Sequence, residues 1–367
     1  MPLFDFGGEA MKIAVKGMPR RSFLIVLGVT ILMLFTFRWR TIWWPFFFRP
    51  REGKVQPRPN PFVEGEKSLV SVVHGRDIEK MVKTAIDLIG GVERLDIVGK
   101  SVLLKPNVLC GSPPPVTTNP QVVKAMAKIL YESGARHVLI GDMSAFFELP
   151  TLKNMSLTFM KLIAEEVEAK LIPFDKGGWV CVDLPKGHYL RRAYVAESLF
   201  EVDRIINLPV IKTHESATYS IALENFIGAT HFRHRPYWVD RFHWEEVITE
   251  LNLAYTPDLH VIDGTRLMVE GGPWKGKAVD SNLIIATGDR IAADVVGLGV
   301  LKHFSELPQI REVDVWEQRQ IKRAIELDLG VKGKEEIELV EKDIDQHLPG
   351  FKGVLKTIRK SVFGEEE

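Results

Sequence analysis

Residues 102–142 read VLLKPNVLCGSPPPVTTNPQVVKAMAKILYESGARHVLIGD. Two short apolar runs, 102–104 and 137–140, flank a stretch whose apolar positions recur at helical spacing. Asn119-Pro120 supplies an N-cap followed by a proline at the first helical position, and Gly134 supplies the stop. Strand, helix, strand in this order is a βαβ unit. A unit of this kind implies parallel strands, because the crossover helix returns the chain to the same edge of the sheet.

The pattern repeats outward from that unit. Further strands are expected at 68–73, 170–173, 180–184, 204–208, 259–262 and 283–286, with helices at 77–88, 157–167, 244–254 and 291–301. The fold class is therefore α/β, with a mainly parallel or mixed sheet flanked by helices and preceded by a single N-terminal transmembrane helix. No internal repeat interrupts it. Hydrophobic residues make up 46% of the 367 and charged residues 26%, a globular composition. Lysines and arginines balance aspartates and glutamates at 48 each, so the basic footprint of a nucleic-acid binder is missing and no nucleic acid is expected as a partner. Two cysteines, Cys110 and Cys181, allow one disulfide at most and fall short of the four ligands of an iron–sulfur cluster.

Residues 1–21 form a basic N-terminal region, and 22–48 a transmembrane or signal-anchor segment. Its uncharged run SFLIVLGVTILMLFTF (22–37) would span roughly 24 Å as a helix, and the aromatic TIWWPFFF (41–48) suits the membrane interface. Arg20-Arg21 followed by Ser-Phe-Leu is similar to a twin-arginine export signal, and no A-x-A site follows the run, so retention as a single-pass membrane anchor is expected. An export signal of that kind would place the soluble domain outside the cytoplasm. Basic residues flank the run on both sides, so their distribution does not orient it. Residues 49–67, rich in Pro, Gly and charge, read as a linker. The α/β domain is expected over 68–310. A charged helical extension is expected over 311–367, including EEIELVEKDIDQ as a solvated helix face.

Polar residues fall where the apolar strands end. VLLKPN ends in Lys105 and Asn107, VLIGDMS in Asp142 and Ser144, and IINLPVIKTH in Lys212 and His214. HVIDGT supplies Asp263, and IIATGD supplies Asp289 with Asp294 one turn later. Ligands of open parallel sheets bind outside the carboxyl ends of the strands, so these residues form one candidate site. Singly, each also reads as a turn or helix cap. Taken together, Asp142, Asp263 and Asp294 suit a divalent cation such as Mg²⁺ or Mn²⁺. Lys105 and Lys212 suit an anion, and His214 an acid–base role. EGGPWKGK, with Gly271, is a loop whose backbone N–H groups would cradle an anion. The segment HFRHRPYWVDRFHW (231–244) reads as a lid, a membrane-surface loop or a packed loop, with His231 and His234 at metal-pair spacing. Neither G-x-G-x-x-G, nor a P-loop, nor G-x-S-x-G occurs.

The ordered motifs VLLKPN, TTNPQVV, GARHVLIGD, INLPVIKTH, NFIGA, VIDGTRLMVEGGPWKG and ATGDRIAADVVG resemble the family named domain of unknown function 362, over about 100–300. The matching positions are Lys105, Pro106, Asn107, Thr117, Thr118, Asp142, Lys212, His214, Asn225, Gly228, Asp263, Gly271 and Asp294. The resemblance adds Thr117, Thr118 and Asn225 to a ligand-binding set that already holds Lys105, Asn107 and Gly271. Some members of the family carry cysteine-bound iron–sulfur clusters. This chain lacks those cysteines, so no such cluster is expected. It also has Glu224 where relatives often have lysine before Asn225. The expectation is a membrane-anchored protein that contacts lipid through its N-terminal helix. It would act enzymatically on an anionic small molecule with a divalent metal, through catalytic Lys212 and His214. The alternative is a non-catalytic ligand-binding or scaffold protein.

Overall fold

The structure is a computed structural model. It describes residues 50–365 except Gln56, together with Ile25 and Gly28. The expected membrane segment 22–48 and its twin-arginine-like flank lie outside the described residues, apart from those two positions. Among the described residues no helix is long and apolar enough to cross a membrane. Residues 1–49 and 50–367 form two separate units.

The strands of the second unit are, in chain order, β1 (Arg51–Gly53), β2 (Val63–Glu64), β3 (Lys67–His74), β4 (Ser101–Pro106), β5 (His137–Asp142), β6 (Lys170–Pro173) and β7 (Trp179–Asp183). They continue with β8 (Arg192–Ala196), β9 (Arg204–Leu208), β10 (Val210–His214), β11 (Thr218–Ser220), β12 (Leu259–Gly271), β13 (Gly276–Thr287) and β14 (Ile337–Asp343). The helices used below are α1 (Ile78–Leu88), α2 (Pro120–Glu132), α3 (Thr151–Leu157), α4 (Met160–Glu166), α5 (Ala222–Asn225), α6 (Trp244–Leu251), α7 (Arg290–Phe304), α8 (Arg319–Glu326) and α9 (Phe351–Ile358).

The main sheet runs β14-β3-β13-β12-β9-β4-β5-β6. Strands β6, β5, β4, β9 and β12 are mutually parallel, and β13 alone on this path runs against its neighbours. The fold is thus a mixed α/β sheet flanked by helices. From β4 the chain steps one way to β5 and β6, then crosses back to β9 on the other side of β4. The boundary between β4 and β9 is therefore the switch point of the sheet, the position outside which open α/β sheets bind their ligands. Lys105 on β4 stands opposite Asn207 on β9 there.

Alternation along the central strands builds the layers. Val102 and Leu104 join Ile206, Leu208, Met81, Val122 and Ile163 in the core beneath α1, α2 and α4. Leu103 and Ile205 point the other way, into a core with Val180, Val195, Val247 and Leu251. A third core joins Ile262 and Ile285 to α7 and α9. Caps match the sequence reading: Asn119 accepts from the Gln121 N–H at the start of α2, and Gly134 follows it at φ +89°.

Several expectations are corrected. EEIELVEKDIDQ is not a helix face: its core is β14, parallel to β3 from Ile337↔Ser68 to Asp343↔His74. Glu and Lys favour helix, but the Ile337-Glu338-Leu339 alternation pairs with an otherwise open edge, and tertiary pairing overrides propensity. The charged side chains suit an edge strand. The 311–367 region is therefore mixed, with α8 and α9 on either side of β14. The expected strand at 180–184 exists as β7, but in a separate sheet of order β1-β7-β8. The single helix expected at 157–167 is divided between α3 and α4 by Phe159 at φ +62°. The 49–67 segment carries β1 and β2, buries Phe62, and ties Arg58 to Asp258. The two cysteines are free and buried.

Candidate functional site

Strand β4 ends by delivering Lys105 into the interior, away from solvent. Its Nζ lies 2.7 Å from Asp142 Oδ1 at the end of β5, with the two side chains 0% and 3% exposed. The other Asp142 oxygen accepts the Val108 N–H at 2.6 Å, which turns the chain sharply after β4. Burial lowers the Lys105 pKa, and Asp142 opposes that shift. Gly228 backs directly onto this pair, since a Cβ there would overlap Asp142 Oδ1 and crowd Lys105 Nζ.

Strand β9 continues past Pro209 into β10, both lying along β12. That continuation places Lys212 and His214 beyond the switch point. Lys212 is 1% exposed, and its Nζ donates to the Val116 carbonyl at 3.0 Å. No ion pair closes on it among the described residues. Burial lowers its pKa, and the main opposing pull comes from Glu224. The His214 Nδ1 accepts from the Ser216 and Ala217 N–H groups at 3.1 and 3.0 Å. The ring is therefore neutral with its proton on Nε2, which lies 4.0 Å from Glu224 Oε1. Burial, reinforced by Lys212, pushes its pKa down to about 3.

Glu224 sits on α5, its side chain 12% exposed, and accepts from the Ser220 hydroxyl at 2.5 Å. Burial raises its pKa, while Lys212, Lys105 and Arg235 pull it down. Arg235 is 8% exposed and donates to the Thr230, Ser144 and Met143 carbonyls, each at 3.3 Å. Burial lowers its pKa to about 10, opposed by Asp142 and Glu224. Three cations, Lys105, Lys212 and Arg235, thus share one buried region with two carboxylates and a neutral histidine.

The structure brings together Lys105, Asp142, Lys212, His214 and Asn225, whose Nδ2 donates to Lys105 O at 3.3 Å and to Asn207 Oδ1 at 2.7 Å. Asn107, Thr117 and Thr118 shape the loop after β4. The Thr118 hydroxyl donates to Leu208 O and accepts the Asn107 N–H, Asn107 Oδ1 accepts the Leu109 N–H, and the Thr117 hydroxyl donates to Ser112 O. Gly271, at φ +77°, ends β12 at the tip of the hairpin with β13, where a backbone bond from Glu215 to Gly272 ties the tip to the end of β10.

The three aspartates expected to hold a metal are not gathered. Asp263 accepts from the Asn119 N–H and from both the N–H and hydroxyl of Thr265. Asp294 accepts from the Ala222 and Leu223 N–H groups and so fixes the start of α5. Burial raises the pKa of both, that of Asp294 to about 8. Asp142 is spent on Lys105 and Val108. A carboxylate already saturated by N–H and O–H donors is poorly placed to take a cation, and among the described residues no group of three or more His, Cys, Asp or Glu is disposed to hold one. His231 and His234 are not a metal pair either. Their Nδ1 atoms accept the Arg233 and Tyr194 N–H groups, and the rings pack against the β7–β8 sheet.

Sequence reasoning did not place Arg235 or Glu224 in the site. Arg235 lies in the 231–244 segment, where the histidines drew the reading, and Glu224 was legible only as a departure from a family pattern. Arg235 arrives from a segment remote from the strand ends, whereas Glu224 follows β11, the partner that sets Ser220 opposite Lys212.

A model of the family described as "Domain of unknown function (DUF362)" matches residues 102–299. The thylakoid-associated protein sll1697 of Synechocystis sp. is 27% identical over 228 residues, 60% of this chain and 69% of that protein. A crystal structure of a protein from Thermotoga maritima superposes with a TM-score of 0.35 at 16% identity, over 58% of this chain and 56% of that one. The lactate racemase apoprotein from Thermoanaerobacterium thermosaccharolyticum superposes with a TM-score of 0.33 at 17% identity, over 56% of this chain and 52% of that one. The chain spans little more than half the length of these two solved chains, and likeness this slight transfers no chemistry.

Proposed function

The chain belongs to the DUF362 family, and from that premise we propose that its switch-point cluster binds a small anionic molecule and exchanges a proton with it. The observation that carries this reading is Lys212. An ammonium has three N–H donors, and this buried one spends a single bond on a backbone carbonyl. A buried charge without an ion pair is costly unless a ligand supplies the partner. Lys105 and Arg235 add two more cations against Asp142 and Glu224, which leaves one positive charge for an anion to balance.

The same burial that creates the surplus sets up the proton chemistry. It lowers the Lys212 pKa and raises that of Glu224, drawing a base and an acid toward a common range. His214, neutral across the physiological range, would orient a ligand oxygen through its Nε2–H rather than shuttle protons. The reading differs from a metal-centred one because the available aspartates are already committed.

The test is thermal stabilisation and calorimetric binding of the full chain with inorganic phosphate and with small mono- and dicarboxylates. The expected result is saturable stabilisation by at least one of them, lost in Lys212→Met and strengthened in Glu224→Gln. Indifference of the wild-type protein to every anion, or equal response in Lys212→Met, would overturn the proposal. Turnover of a bound anion separates an enzyme from a pure binding protein.

The apolar run 22–37 supports a single-pass membrane anchor, and a relative named for thylakoid association agrees with membrane attachment. Resistance of the full chain to alkaline carbonate extraction is the expected result. Release into the soluble fraction would exclude the anchor.

A further inference from the structure

Lys212 and Glu224 are neighbours that do not pair. In the β10–β11 hairpin Ser220 stands opposite Lys212, and the Ser220 hydroxyl donates to Glu224 Oε2 at 2.5 Å. The carboxylate is thus bound to the cross-strand neighbour of the ammonium. Glu224 is the strongest opposite charge acting on Lys212, and Lys212 the strongest acting on Glu224. Yet among the described residues no carboxylate closes an ion pair on Lys212 Nζ, and Glu224 Oε1 faces His214 Nε2 at 4.0 Å instead. Two buried opposite charges attract strongly where the dielectric is low, so the fold must hold these two apart.

Helix α5, which carries Glu224, has four residues and is too short to keep its own geometry. Three buried side chains from other elements hold it. Asp294 on α7 accepts the Ala222 and Leu223 N–H groups at 2.6 and 3.3 Å. Asn207 on β9 donates to the Ala222 carbonyl at 3.1 Å, and Asn252, just after α6, donates to the Leu223 carbonyl at 2.9 Å. Asn225 of the helix itself donates back to Asn207 Oδ1 at 2.7 Å. All four side chains are at most 3% exposed. His260 fixes the central link. Its Nδ1 lies 3.2 Å from Asn207 Nδ2, an N–H donor, and therefore accepts. Flipping the Asn207 amide would set N–H against the Asn225 N–H and oxygen against the Ala222 carbonyl. Lys105, Asn207 and His260 are register partners on adjacent strands, so α5 is tied to the level of the sheet that carries Lys105.

We propose that Ser220 and the buried anchors of α5 are positioning residues that hold Glu224 off Lys212, so that the ammonium stays available to the anion. Glu224 is then the internal competitor for the place the ligand takes. The inference rests on the anion-binding reading above and deepens it, by naming what decides between the ligand and the chain's own carboxylate. Keeping the two charges separate places the cost in folding rather than in binding, which is preorganisation. Freed of the Ser220 hydroxyl, the carboxylate keeps the Lys212 ammonium as its strongest opposite charge. An ion pair between them would neutralise the donor that the anion needs.

The test is calorimetric titration of the full chain with inorganic phosphate, acetate and succinate. Ser220→Ala and His260→Leu are each made alone and together with Glu224→Gln. The expected result is anion binding at least about tenfold weaker in Ser220→Ala and in His260→Leu, restored to the wild-type level or beyond by adding Glu224→Gln. Removing a carboxylate does not repair a packing defect, so the rescue separates positioning from a merely structural role. Should His260→Leu not fold, Asn252→Ala loosens α5 at the Leu223 carbonyl with the same expectation. Wild-type affinity in Ser220→Ala, or weakened binding that Glu224→Gln leaves unrestored, would overturn the proposal. A crystal structure of Ser220→Ala decides it without any anion. The Glu224 carboxylate is expected on Lys212 Nζ, and a carboxylate left in its wild-type place overturns the proposal. A wild-type chain indifferent to all three anions would instead overturn the anion-binding reading, with the crystal structure still deciding the competitor contact.

Discussion

Breaking the Lys105–Asp142 pair separates a charge-driven site from an ordinary hydrogen bond. At 2.7 Å and an effective dielectric constant of about 20, the gross attraction is roughly 6 kcal/mol. The lowered Lys105 pKa says that burial outweighs this attraction. Asp142→Asn preserves shape and leaves an oxygen for the Val108 N–H, but strands the ammonium. Lys105→Met strands the carboxylate. Each single change should cost about 3–5 kcal/mol, because it leaves an uncompensated buried charge. The double variant removes both charges and should recover most of that loss, giving a coupling energy of at least about 2 kcal/mol. Urea unfolding of the four proteins, with slopes checked for constancy, measures this directly. Single-variant costs that add to within about 0.5 kcal/mol would refute the reasoning, since independent sites behave that way.

Gly228→Ala should cost about 2–3 kcal/mol and abolish anion-dependent stabilisation, because the new methyl overlaps Asp142 Oδ1. Wild-type stability and binding in that variant would show that the glycine is not needed. Asp263→Ala should cost about 3 kcal/mol by leaving the Asn119 and Thr265 N–H groups unpaired, with metal content unchanged by elemental analysis. A metal lost only in this variant would restore a metal role to Asp263. His260 is 1% exposed, and burial pushes its pKa down to about 3 from an ordinary 6.5. The unfolded chain therefore binds one more proton across that window, and stability falls as pH drops from about 6.5 toward 3. His260→Gln keeps an acceptor for Asn207 and should make the acid limb shallower by up to about 1.4 kcal/mol per pH unit. Superimposable limbs in the two proteins would show that His260 does not titrate on unfolding.

Legibility followed sequence distance. The βαβ unit at 102–142 was readable because its strands, caps and stop are all local signals. Lys105, Asp142, Lys212 and His214 were readable as strand-end residues once the sheet was taken as parallel. The separation of β7 from the main sheet was not readable, because a short apolar strand pairs with whichever edge the tertiary structure offers. Charged β14 read as helix for the same reason. The roles of Asp263 and Asp294 were not readable, because a carboxylate that caps backbone N–H groups has the same letter as one that holds a metal.

Local periodicity and punctuation by themselves determined that this chain builds parallel strands with crossover helices, and that polar side chains stand at their carboxyl ends. Tertiary structure alone decided which of those side chains meet. It brought Arg235 from a remote segment to this cluster, and it committed Asp263 and Asp294 to backbone N–H groups at Asn119, Thr265 and the start of α5. The physical reason is that hydrophobic periodicity is a property of neighbouring residues, whereas the partner of a buried charge is settled by desolvation and distance in the folded core.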